Sequence, residues 1–292
     1  MNYFSRPLVT TEWLEEHLED PTLRVFDTTT YLEITPSGLK SRSGREDYES
    51  AHVPGAGFMD IATDLSDTNS ALAYTRPSAG QMERVLSRSG VSNEHHVVLY
   101  CRGRMMWATR AWWLLRWVGL ESVAILDGGL GKWEAEGRQI CARPCAYSEA
   151  RFEASPREDL WATKQDVLHA IGDGGFCTIN ALRNELHTGE SGLGYARDGH
   201  IKGSLNVPYS QLLRGETEMF AEDDELRRHF EMTGAFNKPH VITYCGGGIA
   251  ATLNAFALLL LGHPSVAVYD GGLDEWSREE GLPMEMGKKV RT

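Results

Sequence analysis

One cysteine, Cys245, lies at the junction of an apolar stretch and a run of three glycines. Residues 240–244 predict a buried strand, and the apolar residues after position 248 predict a helix. A thiol at such a corner faces the N-terminal N–H groups of the helix, whose partial positive charge favours the thiolate and lowers the thiol pKa. Because glycine reaches backbone conformations that other residues avoid, successive N–H groups of the loop can converge on one anion. We therefore predict a nucleophilic thiol and a binding loop formed by Gly246, Gly247, Gly248, Ile249, Ala250 and Ala251.

A second cysteine, Cys101, ends a stretch of the same kind at residues 96–100. The residues that follow it are Arg102, Gly103, Arg104, Met105, Met106 and Trp107. The two arginines could attract an anion, but the bulky side chains after them would crowd a bound sulfur atom. We therefore expect Cys245 to be the catalytic residue, with Cys101 as a secondary thiol.

The remaining cysteines give no sign of a metal site. Cys141 and Cys145 form a single C-x3-C pair, whereas a structural zinc ion usually needs four ligands. Cys177 lies in a predicted strand and is expected in the core. An odd number of scattered cysteines is typical of reduced thiols in a cytoplasmic protein. We predict neither a metal nor a cofactor.

The chain contains an internal duplication. Three landmarks recur in the same order, a little under half of the chain apart: residues 52–56 and 200–204, Cys101 and Cys245, and residues 127–130 and 270–273. Trp133 and Trp276 each follow the aspartate of the third landmark at the same spacing. Two homologous domains explain this order better than one large domain does.

Two further pairs of polar residues belong to the repeat. His52 and His200 each precede a turn, and a histidine that recurs in both copies indicates a structural hydrogen bond. Asp127 and Asp270 each precede two glycines, as turn and helix-start residues do. We assign structural roles to all four.

Short apolar stretches alternate with longer segments of helical period, which predicts parallel strands connected by helices. The predicted strands are residues 23–26, 97–100, 123–126, 176–179, 241–244 and 266–269. The fold class is therefore α/β, with a central parallel sheet flanked by helices in each half. We place the N-terminal domain at residues 1–140, an aperiodic linker at 141–158 and the C-terminal domain at 159–292.

Charge and hydropathy exclude several classes of partner. The 41 acidic and 29 basic residues give a net charge of -12, which disfavours nucleic acid and anionic membrane surfaces. The longest apolar run, residues 255–261, is far shorter than the roughly 18 residues that span a bilayer. The first 21 residues are acidic and carry no secretory signal, so we expect a cytoplasmic protein.

Four motifs together resemble the tandem-domain rhodaneses, the family of thiosulfate and 3-mercaptopyruvate sulfurtransferases. They are residues 43–56, 107–113, 199–208 and the Cys245 loop. The resemblance implies two α/β domains, of which the N-terminal one is usually catalytically silent. It also implies that Cys245 accepts sulfur from thiosulfate or 3-mercaptopyruvate as a persulfide. A thiol, cyanide or a thioredoxin-like protein would then remove that sulfur, in a double-displacement cycle.

The chain departs from the family pattern at the substrate site. Many members have arginines where this chain has Leu182 and Leu186. Arg183 and Arg197 are the nearest candidates for contacts to the substrate anion. The loop is neutral, like that of the mercaptopyruvate type, but it has Gly247 and Ala250 where that type often has serine and threonine.

Two other functions compete with sulfur transfer. Cysteine phosphatases of this fold place an arginine six residues after the cysteine, where this chain has Ala251 and Trp107. A phosphatase is therefore disfavoured. The absence of the family arginines favours a second alternative, a rhodanese-like sulfur carrier or interaction module with weak or no catalysis.

Overall fold

The computed structural model describes residues 3–35 and 38–287, and these form two compact units. The first unit comprises Met1–Asn69, Arg76–Glu158 and Arg214–Phe220, and the second comprises Ser70–Thr75, Asp159–Leu213 and Ala221–Thr292. Each unit therefore contains a short segment from the opposite half of the chain. Sequence periodicity predicted contiguous domains, because a segment of six or seven residues is too short to carry a periodic signal.

The first half of the chain alternates strands and helices as predicted. Its strands are β1 (Leu8–Val9), β2 (Leu23–Asp27), β3 (Thr30–Thr35), β4 (Gly38–Ser43), β5 (Gly57–Phe58), β6 (His96–Tyr100) and β7 (Val123–Leu126). Its helices are α1 (Thr11–His17), α2 (Arg45–Ser50), α3 (Ala79–Arg88), α4 (Met106–Trp117) and α5 (Gly129–Ala135).

The second half repeats the alternation. Its strands are β8 (Trp161–Ala162), β9 (Phe176–Asn180), β10 (His200–Ile201), β11 (Leu205–Asn206), β12 (Leu213–Arg214), β13 (Met219–Phe220), β14 (His240–Tyr244), β15 (Val266–Tyr269) and β16 (Met284–Glu285). Its α-helices are α6 (Lys164–Ala170), α7 (Asn184–Thr188), α8 (Asp223–Glu231), α9 (Ile249–Leu260) and α10 (Gly272–Trp276). Short 3-10 helices cover Glu158–Leu160, Tyr209–Leu212 and Ala235–Asn237. Each of the six predicted strands lies within an observed one.

A five-stranded parallel sheet forms the centre of each unit. The strand order is β1-β7-β6-β2-β5 in the first sheet and β11-β9-β14-β15-β8 in the second. The register pairs Asp27 with Tyr100 in the first sheet and Asn180 with Tyr244 in the second. Both cysteine loops therefore begin at the carboxyl end of the central strands, where α/β proteins commonly place their sites. These sheets confirm the predicted fold class.

The helices that follow the two cysteines are buried around almost their whole circumference. Among the residues of α4, all but Arg116 are buried, and in α9 all but the last two are. The continuous apolar sequence of both helices is consistent with this burial, since a surface helix carries a polar face. Each helix thereby fixes the cysteine loop at its N-terminus.

The chain differs in regularity on the two sides of the unit boundary. Thr163 and Asp166 form a reciprocal capping box at the start of α6. Residues 141–158, predicted as a linker, belong to the first unit. Phe152 is buried there, and the N–H of Ala150 donates to the Ser87 carbonyl at 2.9 Å. The segment has no periodic apolar pattern because it packs against the first unit as irregular chain, without an α-helix or a regular strand. Within the described ranges, no helix is long and apolar enough to cross a membrane.

Candidate active site

Cys245 lies where β14 ends and the glycine loop begins, with 3% of its surface exposed. Gly248, with φ of +72°, is the N-cap of α9 and adopts the left-handed conformation that glycine tolerates. The Thr243 hydroxyl donates to the Ala251 carbonyl at 3.0 Å and ties the strand to the first turn of the helix. The loop therefore has the strand-to-helix geometry that the sequence predicts.

The environment of Cys245 corrects the expectation of a lowered pKa. Burial raises the pKa of the Cys245 thiol, while backbone N–H groups of Ala251, Gly247, Ala250 and Gly248 act to lower it. The predicted cradle of N–H groups is therefore present, but desolvation of the buried thiolate outweighs it in this structure. The same N–H groups would stabilise an anionic sulfur bonded to Cys245.

The position of each Asp-Gly-Gly motif is explained by a backbone contact to the cysteine loop of its unit. The N–H of Leu273 donates to the Cys245 carbonyl at 2.8 Å, and that of Asp274 donates to the Gly246 carbonyl at 2.9 Å. A Cβ at Gly272, where φ is +53°, would lie 2.5 Å from both carbonyl oxygens. Only glycine allows α10 to approach the loop this closely.

The first unit repeats this contact. The N–H of Leu130 donates to the Cys101 carbonyl at 3.1 Å, and a Cβ at Gly129 would overlap that oxygen. Asp127 receives a hydrogen bond from the N–H of Phe220 at 2.9 Å. The motif thus holds the cysteine loops in place in both units.

The repeated histidines have the predicted structural hydrogen bonds. His200 Nδ1 donates to the His187 carbonyl at 2.7 Å, and His52 Nδ1 donates to the Tyr48 carbonyl at 2.6 Å. Both histidines are buried. Each therefore fixes a turn rather than presenting a base to solvent.

Of the two candidate anion contacts, Arg183 is exposed at the N-cap of α7, whereas Arg197 is fully engaged. The Arg197 guanidinium donates to five backbone carbonyls, those of Trp276, Ser277, Glu279, Glu280 and Leu282, at 2.7 to 3.5 Å. All five N–H groups of the side chain are used by these contacts. We therefore do not retain Arg197 as a substrate contact, because its charge serves to anchor residues 276–282.

Two neighbours of the glycine loop were not anticipated. A Cβ at Gly246 would overlap the hydroxyl oxygen of Tyr195, and one at Gly247 would lie 3.7 Å from the Ala73 carbonyl oxygen. Tyr195 belongs to a glycine-rich segment of no regular period, and Ala73 comes from the short segment contributed by the first half of the chain. Neither residue carries a local sequence signal, because both contacts join positions far apart in the chain.

The Cys101 loop is built differently. The Cys101 thiol donates to the Arg104 carbonyl at 3.2 Å, and the Glu218 carboxylate accepts from the N–H of Met105 at 2.7 Å. Burial raises the pKa of Cys101 well above its ordinary value, and the negative charges of Asp27 and Glu218 raise it further. The Arg102 side chain is paired with Glu134 at 2.7 Å. The positive charge that the sequence shows beside Cys101 is thus matched by carboxylates.

The described residues contain no cluster of His, Cys, Asp and Glu side chains that could hold a metal ion. Cys177 is buried, and Cys141 and Cys145 are half-buried free thiols.

Comparison with known proteins places this geometry in a family. The model of the Rhodanese-like domain matches residues 10–136 and 181–279. The chain is 33% identical over 279 residues to the 3-mercaptopyruvate sulfurtransferase of Escherichia coli (strain K12), which covers 94% of this chain and 96% of that protein. It is also 33% identical over 282 residues to the thiosulfate sulfurtransferase of Rattus norvegicus, covering 94% and 92%.

The crystal structure of SseA from Escherichia coli, described as having the rhodanese fold of 3-mercaptopyruvate sulfotransferases, superposes with a TM-score of 0.82. The two chains are 31% identical, and the match covers 92% of this chain and 99% of that one. These relationships confirm the predicted tandem architecture and the predicted enzyme class, a sulfurtransferase. The chain belongs to the rhodanese-like family, of which it has two domains in tandem.

Proposed function

We propose that the protein transfers sulfane sulfur from 3-mercaptopyruvate or thiosulfate to a thiol or cyanide acceptor through a persulfide on Cys245. The observation that carries this proposal is the set of backbone N–H groups around the Cys245 sulfur. A buried thiolate is costly, but a persulfide extends the negative charge onto a second sulfur atom within the same loop. The N–H groups then stabilise the intermediate more effectively than the resting thiolate.

The character of the loop favours 3-mercaptopyruvate over thiosulfate as the donor. Residues 246–251 carry no side-chain charge, and Leu182 and Leu186 occupy the places of the family arginines. Thiosulfate is a dianion, so positive charge beside the sulfur would stabilise its binding more than that of 3-mercaptopyruvate. Arg183, exposed at the start of α7, is the cation that we propose for the donor carboxylate. The acceptor would be a small thiol, cyanide or a reduced thioredoxin-like protein.

Mass spectrometry of the intact protein and its peptides tests the central step. Treatment with either donor should add one sulfur atom to the peptide that contains Cys245, and cyanide should remove it. Cys245→Ser should abolish this addition, whereas the matched variant Cys101→Ser should retain it. Sulfur found on Cys101 but not on Cys245 would overturn the assignment.

Steady-state assays then separate an enzyme from a sulfur carrier. Rapid turnover with small acceptors, lost by several orders of magnitude in Cys245→Ser, is the expected result for a nucleophilic catalyst. A protein that forms the persulfide but fails to turn over with small thiols or cyanide would instead be a carrier.

A further inference from the structure

A tyrosine hydroxyl lies directly against the catalytic loop. The Tyr195 oxygen occupies the space where a side chain at Gly246 would begin, and the ring carbon that bears it would lie 3.1 Å from that Cβ. Gly246 immediately follows Cys245, so the hydroxyl stands beside the residue that the proposed function makes the nucleophile. The absence of a side chain at Gly246 is what permits this approach.

Tyr195 is held firmly in this position. Its ring packs against the apolar cluster of the second unit, which includes Tyr244 and Leu273. The next residue, Ala196, donates its N–H to the Ser277 hydroxyl at 3.2 Å. The guanidinium of the following residue, Arg197, donates hydrogen bonds to the backbone carbonyls of residues 276–282. A fixed hydroxyl avoids the entropic cost of ordering it in each catalytic cycle.

The environment keeps the Tyr195 hydroxyl protonated. Burial raises the pKa of Tyr195, and the negative charges of ionised Cys245 and of Asp274 raise it further. At neutral pH the group is therefore protonated, and it has a hydrogen that it can donate.

The two candidate donors differ in their need for such a group. Cleavage of the carbon–sulfur bond of 3-mercaptopyruvate leaves the enolate of pyruvate, a strong base that must gain a proton. Cleavage of the sulfur–sulfur bond of thiosulfate leaves sulfite, which departs as a stable anion. A positioned acid accelerates the first reaction and has little effect on the second, because the benefit of acid catalysis follows the basicity of the leaving group. The loop itself offers no hydroxyl at Gly247 or Ala250.

We propose that Tyr195 is the catalytic acid for 3-mercaptopyruvate, an inference that rests on the proposed function of Cys245. The Cys245 thiol first loses its proton to water, and the resulting thiolate attacks the donor sulfur. The new sulfur–sulfur bond forms, and the carbon–sulfur bond breaks with its electron pair left on the pyruvate fragment. Tyr195 donates its proton to the enolate oxygen, and the enol product leaves and tautomerises to pyruvate. The proton on the transferred sulfur returns to the Tyr195 oxygen through water, which leaves an anionic persulfide on Cys245.

Single-turnover kinetics of Tyr195→Phe test this role, because the substitution removes one oxygen and keeps the ring. The rate of persulfide formation from 3-mercaptopyruvate should fall about 100-fold, within the range typical of lost general-acid catalysis. The rate from thiosulfate, and the rate at which cyanide discharges a preformed persulfide, should change by less than about twofold. A matched control is Tyr147→Phe, which removes a hydroxyl that donates to the Gly55 carbonyl in the first unit.

The comparison of steps on one preparation separates catalysis from folding. A loss of folded protein lowers the active fraction for all steps alike, whereas loss of the acid affects only 3-mercaptopyruvate. If Tyr195→Phe does not fold, Arg197→Lys tests the positioning of the same hydroxyl, since it weakens the anchor next to Tyr195 and should slow the reaction of 3-mercaptopyruvate more than that of thiosulfate. Equal losses with both donors, or no loss with 3-mercaptopyruvate, would overturn the role of Tyr195. A wild-type protein that forms no persulfide on Cys245 would instead refute the proposed function.

Discussion

The two cysteine loops share the same backbone geometry but place their thiols in different environments. Cys101 and Cys245 both end a central strand, and both carbonyls accept a hydrogen bond from the helix after a Gly-Gly pair. Among the described residues, backbone N–H groups of Gly247, Gly248, Ala250 and Ala251 act on the sulfur of Cys245, whereas the N–H of Ala108 acts on that of Cys101. The shared backbone geometry therefore positions a thiol in each unit, and the residues that follow the cysteine determine whether an anionic sulfur is stabilised there.

Charge beneath the loops differs as well. Asp27 and Asn180 occupy equivalent register positions, opposite Tyr100 and Tyr244. Asp27 is almost completely buried, and its carboxylate raises the pKa of Cys101. The neutral amide of Asn180 places no such charge under Cys245. The first unit thus disfavours a thiolate more strongly than the second unit does.

The largest effect that distinguishes the loops is expected from Gly272→Ala. Alanine at φ of +53° is strained, and its Cβ would meet the Cys245 and Gly246 carbonyls at 2.5 Å. We expect a loss of at least about 2 kcal/mol in unfolding free energy and a loss of sulfur transfer. Both are measured by denaturant unfolding and steady-state assay.

Gly129→Ala is the matched control, because it makes the same clash with Cys101 in the first unit. It should cost a similar free energy of unfolding but leave the persulfide chemistry of the folded protein intact. An equal loss of activity per folded molecule in both variants would show that the Cys101 loop also contributes to catalysis.

These expectations show which features sequence patterns can predict. Strands such as 123–126 and 266–269 were predicted to the residue, because buried parallel strands are short apolar runs with clear ends. The corner at Cys245 was also predictable, since its thiol, glycines and helix are adjacent in sequence. Arg197 was misjudged because its charge is visible in the sequence, whereas the carbonyls that consume its hydrogen bonds lie some 80 residues further along the chain.

Burial and long-range contacts account for the other differences. The predicted fall in the pKa of Cys245 considered only the local N–H groups, and not the desolvation that the surrounding core imposes. Tyr195 and Ala73 reach the loop from distant positions and have no motif of their own. Features that depend on which segments meet in three dimensions were therefore beyond the reach of sequence patterns.

A pH-dependent effect on stability alone is expected from Asp27→Asn, which gives the first unit the residue type of the second. Burial raises the pKa of Asp27 from 3.8 to about 6. Well below the unfolded-state pKa of 3.8 the carboxyl is protonated in both the folded and unfolded states, so it imposes no penalty. As the pH rises through 6, the folded protein must hold a buried charge, and the stability contributed by this group is lost.

Asp27→Asn should therefore raise the unfolding free energy by about 2 to 3 kcal/mol at pH 7.5 and change it little at pH 4. The amide oxygen can still accept the hydrogen bonds that Asp27 receives from the Thr29 N–H and hydroxyl. Denaturant unfolding at both pH values measures the difference. If the difference in unfolding free energy between Asp27→Asn and wild type is the same at the two pH values, the assignment of a buried, titrating carboxyl is wrong.

The smallest effect is expected from Glu218→Gln, which tests whether a carboxylate fills the anion position of the first loop. The Glu218 side chain accepts from the Met105 N–H at the start of α4, and it does so from a strained backbone with φ of +52°. Glutamine can keep the hydrogen bond but loses the attraction of a negative charge to the helix N-terminus. The expected cost is about 0.5 to 1 kcal/mol at low ionic strength, reduced by added salt.

Removal of this charge should also make Cys101 react faster with iodoacetamide in a Cys245→Ser background, because the Glu218 carboxylate raises the pKa of Cys101. Glu216→Gln is the matched control, since Glu216 is exposed on the same turn between β12 and β13. Peptide mass spectrometry measures the alkylation, and unfolding at low and high salt measures the stability. If both variants behave alike, the effect is one of general surface charge, and Glu218 has no specific role in suppressing the Cys101 loop.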